Sequence, residues 1–281
     1  MLQDTAMPTP DPAPSQPFKR ILLTGAAGAL GRMLRERIRP WAGIVRLSDV
    51  ADMGAAAPHE EIVQCDLADR QAVLALLDGV DAVLHFGGIA TEAPFGAIVS
   101  ANIVGVANLY EAAERHGIKR VVFASSNHTI GFYPAGQQLD ADMPTRPDSM
   151  YGISKCFGEQ VSRYYFDRFG LETVCIRIGS SFPAPVNRRM LATWFSYDDL
   201  AEMVRCALFA PDVGHTIAFG VSDNPAPWWD NRLAAHLGFQ ARDSARPYAA
   251  QILATQPEPA PGDPAARYQG GQFVVGRPIH E

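Results

Sequence analysis

Residues Ile21-Leu22-Leu23-Thr24 form an apolar run that stops at a glycine, and Gly25-Ala26-Ala27-Gly28-Ala29-Leu30-Gly31 leads directly into Arg32-Met33-Leu34-Arg35-Glu36-Arg37-Ile38. Leu30, Leu34 and Ile38 recur at helical spacing, so the stretch reads as strand, glycine turn, helix. A run that is apolar throughout suits a strand buried on both faces of a parallel sheet, and parallel strands are joined by crossover helices. This unit therefore commits the chain to an α/β sheet. Glycines at this spacing let the backbone turn sharply and approach a pyrophosphate, while free N–H groups at the helix start hold the diphosphate. Gly25, Gly28 and Gly31, with Ala29 and Leu30 at the helix entrance, are the candidate dinucleotide contacts.

The alternation continues downstream. A strand at 44–48 ends in Asp49, 18 positions after Gly31. A carboxylate there accepts hydrogen bonds from the adenosine ribose and repels a 2'-phosphate, which selects NAD over NADP; the alternative is a residue that merely caps a turn. A strand at 61–65 ends in Asp66-Leu67, where an adenine edge could be read. After a helix at 71–77, a strand at 81–86 runs into Gly87-Gly88, again permitting close backbone approach to a ligand. His85 lacks partners at metal-ligand spacing and reads as a packed core histidine. A long helix over 95–116 bears Asn102, counted among the cofactor contacts, and Val99, Val106 and Ala113 mark its buried stripe.

The strand at 119–124 delivers Ser125-Ser126-Asn127-His128 to the sheet edge, where parallel sheets bind their ligands. Ser149-Met150-Tyr151-Gly152-Ile153-Ser154-Lys155 then opens a helix. Tyr151 and Lys155, four apart, share one face at about 6 Å along the axis. A phenol near pKa 10 is protonated at neutral pH, and a fixed ammonium beside it favours the phenolate. The pair is a candidate general base, although a packed ring beside a solvated charge has the same spacing. A strand at 171–178 ends at Gly179-Ser180, after which the alternation breaks at Pro183 and Pro185. Ser196-Tyr197-Asp198-Asp199 starts another helix as a capping sequence, a short strand follows at 216–220, and Trp228-Trp229 begins a helix towards Leu237 with both indoles in the core or at a subunit contact.

Three segments follow: a disordered proline-rich extension over 1–17, a dinucleotide-binding domain over 18–180, and a mainly substrate-binding C-terminal portion over 181–281 whose strand at about 216–220 returns to the sheet. The fold class is α/β, a Rossmann-type doubly wound parallel sheet. With 47% hydrophobic and 19% charged residues, 281 residues supply a sizeable core. A net charge of -6 argues against nucleic acid. Cys65, Cys156, Cys175 and Cys206 are scattered without a C-x-x-C pair, so free thiols and no metal site are expected. No leader precedes the first strand and no apolar run approaches the roughly 18 residues of a membrane span, which points to the cytoplasm and to small-molecule partners. A homo-oligomer is expected.

The glycine turn, acidic strand end, serine strand end and Tyr-x-x-x-Lys, in this order, resemble the extended branch of the short-chain dehydrogenase/reductase superfamily. Within it the chain is similar to the uronate dehydrogenases, through 123–131, 151–159, Arg189-Met190-Leu191, 193–196, Trp228-Trp229-Asp230-Asn231 and 267–271. That resemblance implies NAD-dependent oxidation of a hexuronic acid, galacturonate or glucuronate, at C1 to the aldarolactone. It makes Tyr151 the base, Lys155 its activator and ribose ligand, and Ser126 the hydroxyl that orients the substrate oxygen, with Asn127, His128, Ser180 and Arg189 on the substrate. Two positions depart from the pattern: Ala90 stands where serine is usual, and Arg188 where tyrosine is usual. The alternatives are a nucleotide-sugar epimerase or dehydratase with a retained cofactor, and a non-catalytic NAD-binding sensor.

Overall fold

The protein is described as a computed structural model over residues 18–279; the proline-rich extension expected at 1–17 lies outside the described residues. Six strands lead the chain through the sheet: β1 (Phe18–Thr24), β2 (Ala42–Asp49), β3 (Glu60–Gln64), β4 (Ala82–His85), β5 (Arg120–Ser126) and β6 (Glu172–Ile178). Two short strands, β7 (Ser180–Ser181) and β8 (Trp194–Phe195), pair with each other, and β9 (His215–Gly220) rejoins the main sheet beside β6. Every pairing in the main sheet is parallel, in the order β3-β2-β1-β4-β5-β6-β9. The order reverses between β1 and β4, and ligands of such sheets bind at that switch point, beyond the carboxyl ends of the strands.

The period-2 alternation of β1 builds both core layers. Ile21 and Leu23 face α1 (Ala29–Arg37) and α7 (Tyr197–Phe209), packing with Leu34, Ile38, Met203 and Val204. Leu22 faces the other side, among Val73 and Leu76 of α2 (Arg70–Leu76) and Leu109 and Tyr110 of α4 (Gly105–Arg115). All of these side chains are buried, so the apolar run 21–24 of β1 has no solvated face, as a parallel strand covered on both sides requires.

The long helix departs from its expected regularity. It comprises α3 (Phe95–Ile98), a π-turn at Val99–Val104 and then α4. One extra residue in the turn rotates the helix phase, so Ile98 takes the core position expected of Val99, which is only half-buried, while Val106 and Ala113 are buried as expected. Contrary to the expectation from composition, Phe95–Arg115 is long and apolar enough by length and hydropathy to cross a membrane. Its buried face, with Leu109, Tyr110 and Ala112, is occupied by the sheet and by α5 (Met150–Phe169).

The tryptophan pair does not start a helix. Leu139 N–H donates to Trp228 O and Asp230 N–H to Leu139 O, both at 2.8 Å, holding the pair extended. Trp229 stacks on Phe219 at 5.3 Å, and only a 3-10 segment, Arg232–Leu237, follows.

Candidate active site

A cleft of about 720 Å³ opens over the carboxyl ends of β1, β2, β4, β5 and β6, and its walls include every candidate site residue except Asn102. The glycine turn forms one end. Gly25 has φ +73°, and a Cβ there would lie 2.4 Å from Phe86 O, so only glycine lets β1 turn beneath the β4 strand end. A Cβ at Gly31 would lie 2.0 Å from Gly25 O, which leaves the start of α1 close to the turn. Gly28, Ala29 and Leu30 line the cleft at that helix start.

Asp49 does two things at once. Its carboxylate accepts from Ala27 N–H and Ala51 N–H, both at 3.0 Å, so it is a turn cap, yet it also faces the cleft beside the glycine turn. Those two bonds fix the carboxylate beside the glycine turn. Asp66 and Leu67 line the same end.

Asn102 sits behind the wall rather than in it. It is 2% exposed, and its amide accepts from Ile89 N–H at 2.8 Å and donates to Ile89 O at 2.9 Å and Ser154 Oγ at 2.9 Å. With these hydrogen bonds it supports the Gly87-Gly88 loop. Its position in the π-turn is what brings the amide to that loop. His85 is fully packed as expected: Nδ1 bonds Thr24 Oγ1 at 2.7 Å, and burial pushes its pKa down to about 3.

The tyrosine and lysine stand on the first turns of α5. Ser149 caps the helix by accepting from Gly152 N–H at 3.0 Å, and Glu92 accepts from Tyr151 N–H at 3.2 Å. A Cβ on Gly152 would lie 2.4 Å from His128 O, so the helix start is seated tightly on the 3-10 turn Asn127–Ile130. Lys155 Nζ donates to Ala124 O at 2.8 Å and lies 5.7 Å from the centre of the Tyr151 ring. Burial raises the Tyr151 pKa to about 12, against which the Ser126 hydroxyl pulls down, and burial lowers that of Lys155 to about 8.

The Lys155 shift has a stability consequence with a definite sign. Between pH 8 and 10.5 the unfolded chain holds a proton that the folded lysine has released, so stability rises with pH through that window and the penalty is complete below it. At pH 7 that penalty is about 3 kcal/mol, offset by about 1–2 kcal/mol for the Ala124 carbonyl that a substitution leaves unpaired. Lys155→Met is therefore expected to raise Tm by a few degrees at pH 7 and to lose that advantage by pH 10.5. Thermal unfolding at the two pH values measures this, and a lower Tm at pH 7 would contradict it.

Arg177, fully buried behind the cleft, and Arg189, half-buried in its wall, make an instructive contrast. Arg177 binds both oxygens of Glu159 at 2.9 Å. Arg189 has no carboxylate partner among the described residues: Nε donates to Gln269 O at 2.7 Å and Nη1 to Ser180 Oγ at 2.9 Å. With the Asn127 amide oriented to donate to Ile178 O at 2.9 Å, its oxygen accepts from Arg189 Nη2 at 2.7 Å. Burial lowers the Arg189 pKa to about 10, with the Asp148 charge opposing the shift. A half-buried guanidinium held by neutral acceptors still carries its full charge on the wall of the cleft. Arg188 diverges completely, donating to the carbonyls of Leu253, Gln256 and Pro257 at the end of α8 (Ala249–Thr255), so its charge does not enter the cleft. Ala90 lines the cleft without a side chain that could hydrogen-bond.

Sequence reasoning missed the closing wall. Gly270, Gln272 and Phe273 line the cleft, and Phe273 stacks on His128 at 3.7 Å. Gln269 anchors this strap, fully buried: its N–H donates to Tyr133 O, its side-chain amide to Pro134 O and Gln137 O, and its Oε1 accepts from Trp229 Nε1–H. The usable signal was the Gly270-Gly271 pair. Gly271 has φ +63°, and a Cβ there would lie 2.9 Å from Arg189 Cδ.

The profile of the NAD dependent epimerase/dehydratase family matches residues 21–195. A uronate dehydrogenase of Pseudomonas putida is 58% identical over 94% of this chain and 98% of its own. The chain belongs to the uronate dehydrogenases of that family. Among solved uronate dehydrogenases, a mutant of the Agrobacterium tumefaciens protein complexed with NAD superposes with a TM-score of 0.92 at 50% identity, covering 94% of this chain and 100% of that one. A glucuronic acid dehydrogenase from Chromohalobacter salexigens superposes at 0.91 and 49% identity, over 92% and 98% of the two chains. The Rossmann-type α/β fold expected of the sequence is thereby confirmed against uronate dehydrogenases of known structure.

Proposed function

We propose that this cleft oxidises a hexuronic acid, galacturonate or glucuronate, at its C1 hydroxyl to the aldarolactone, with Tyr151 as general base. NAD-dependent oxidation of a uronate is what membership of the uronate dehydrogenases carries. The observation that supports the acid in the substrate is the half-buried Arg189, held by neutral groups and open to the same cleft as Tyr151. Its planar fork suits both oxygens of a carboxylate.

The glycine turn fits a dinucleotide, because Gly25 and Gly31 let the start of α1, with Gly28, Ala29 and Leu30, sit close against the strand end at the cleft, and NAD when bound supplies the hydride acceptor. Gly25, Gly28, Ala29, Leu30 and Gly31 hold the diphosphate, Asp49 the adenosine ribose, Asp66 and Leu67 the adenine side, and Gly87 and Gly88 approach along the backbone. Lys155 binds the nicotinamide-side ribose and stabilises the Tyr151 phenolate. Ser126 orients the C1 oxygen, and Tyr151 takes its proton. Asn127, His128, Ser180 and Arg189 hold the sugar acid. In this scheme residues 18–180 serve the cofactor and the later segment serves mainly the substrate.

The test is purified protein with NAD and a panel of uronic and neutral aldoses, following NADH absorbance and identifying the product by NMR. Turnover confined to uronates supports the reading; no turnover on any uronate overturns it. Asp49→Ala is expected to raise the NADP to NAD preference by at least about tenfold, since it removes a negative charge facing the 2'-phosphate. Initial rates with both cofactors measure this, and an unchanged ratio sinks the role.

A homo-oligomer is part of the same proposal. Ile153 and Tyr164, three turns apart on one face of α5, are 48% and 54% exposed, and light scattering that returns a monomer mass excludes it. All four cysteines are free, which supports the cytoplasm; cell fractionation checks the placement.

A further inference from the structure

The reading of His128 as a substrate contact leaves unexplained the buried carboxylate behind it. Asp148 has a side chain with no exposed area, and no lysine or arginine pairs with it among the described residues. Its Oδ2 lies 2.8 Å from His128 Nδ1, its Oδ1 accepts from Ser149 Oγ–H at 2.9 Å, and its own N–H donates to His128 O at 3.3 Å. Two glycines wall it in. A Cβ on Gly131 would lie 1.7 Å from Oδ2 and one on Gly270 would lie 2.0 Å from it, and Gly270 N–H closes the wall by donating to Gly131 O at 2.8 Å.

A carboxylate only accepts, so the ring nitrogen facing it must carry the hydrogen. That leaves Nε2, which has no partner among the described residues, as the atom His128 offers to the cleft. The ring is held from its face as well, by Phe273 stacked at 3.7 Å, so neither rotation nor exchange of the two nitrogens is free. Ser149 carries the constraint onward: the hydroxyl that donates to Asp148 also caps α5 through Gly152 N–H, two residues from the start of the helix that bears Tyr151.

We propose that Asp148 is a positioning residue: it fixes His128 in the Nδ1–H tautomer so that Nε2 accepts a hydrogen bond from a sugar hydroxyl, and it ties that acceptor to the first turn of the Tyr151 helix. The proposal rests on the assignment of His128 to the substrate. It accounts for why a charge is buried at this point, since an amide could face His128 with either its oxygen or its NH2 and would not dictate the tautomer.

The first test needs no variant. In wild-type protein labelled with ¹⁵N-histidine, at a pH where the ring is neutral and with His128→Ala to assign the signal, His128 is expected to show a protonated Nδ1 and an unprotonated Nε2. A protonated Nε2 overturns the proposal, and because no substrate is present this result is independent of whether the protein turns over uronates. The second test is Asp148→Asn, expected to raise KM for the uronate about 10- to 100-fold with kcat changed less, as for other groups that orient a histidine ligand. NAD affinity should stay within about twofold of wild type. In a His128→Ala background the same substitution should add nothing. An equal loss in that background, or a parallel loss of NAD affinity, assigns Asp148 a structural role and overturns the proposal. Should Asp148→Asn fail to fold, the wild-type ¹⁵N spectrum decides alone.

Discussion

Tyr151→Phe is expected to lower turnover of a uronate at saturating NAD by about 10²- to 10⁴-fold, the usual worth of a positioned general base. The ring is 6% exposed and loses only its hydroxyl, so Tm and NAD affinity should scarcely move. The pH profile provides a second readout. With burial holding the Tyr151 pKa near 12, the phenolate fraction in the free protein grows tenfold per pH unit through neutrality, so kcat/KM should climb between pH 6 and 8. Above about 8 Lys155 begins to lose its charge and with it the stabilisation of the phenolate, so the climb should flatten. In Tyr151→Phe the residual rate should show no such climb. Near-normal turnover, or an unaltered pH slope, would remove Tyr151 from the role of base.

Arg189→Leu should have the second-largest effect, raising KM for uronates by about 10²- to 10³-fold, in line with the 2–5 kcal/mol lost when one member of a buried charge pair is removed. Any turnover of neutral aldoses should be spared. Arg189→Lys is not expected to rescue, because one ammonium cannot hold Gln269 O, Ser180 Oγ and the Asn127 amide while gripping two carboxylate oxygens. Neither variant should lose stability in proportion, since the arginine charge is itself half-withdrawn from water with no carboxylate bonded to it among the described residues. Steady-state kinetics on matched uronic and neutral aldoses measures the discrimination; an equal loss on both would make Arg189 a structural residue.

The parts of the fold that were legible in the sequence are those encoded locally. The apolar run of β1, the glycine spacing and the Tyr151–Lys155 interval each lie within one or two elements, so periodicity alone placed them. Asn102 was assigned to the cofactor because an amide that braces a loop and one that meets a ligand look alike in a helix; only the π-turn, invisible to spacing, aims it at Ile89. Trp228 and Trp229 were drawn out of a helix by partners 90 residues upstream, at Leu139, and 40 downstream, at Gln269. Asp148 and Phe273 meet at His128 from separate parts of the chain, and no local pattern announces such a meeting. The destination of Arg188 was likewise set by the end of α8, far along the sequence.

The strap anchored by Gln269 has a consequence for synthesis. Every residue expected to hold the dinucleotide is in place once β9 has joined the sheet, some 50 residues before the strap that holds Arg189 Nε and covers His128. Translation proceeds at about 5–20 residues per second, and what is made first can fold first. A growing chain can therefore complete the sheet edge beside the glycine turn before the segment that covers His128 has been made. A chain cut after Arg267 is expected to keep its affinity for NAD and lose uronate turnover, which titration of NAD beside an assay of NADH formation measures.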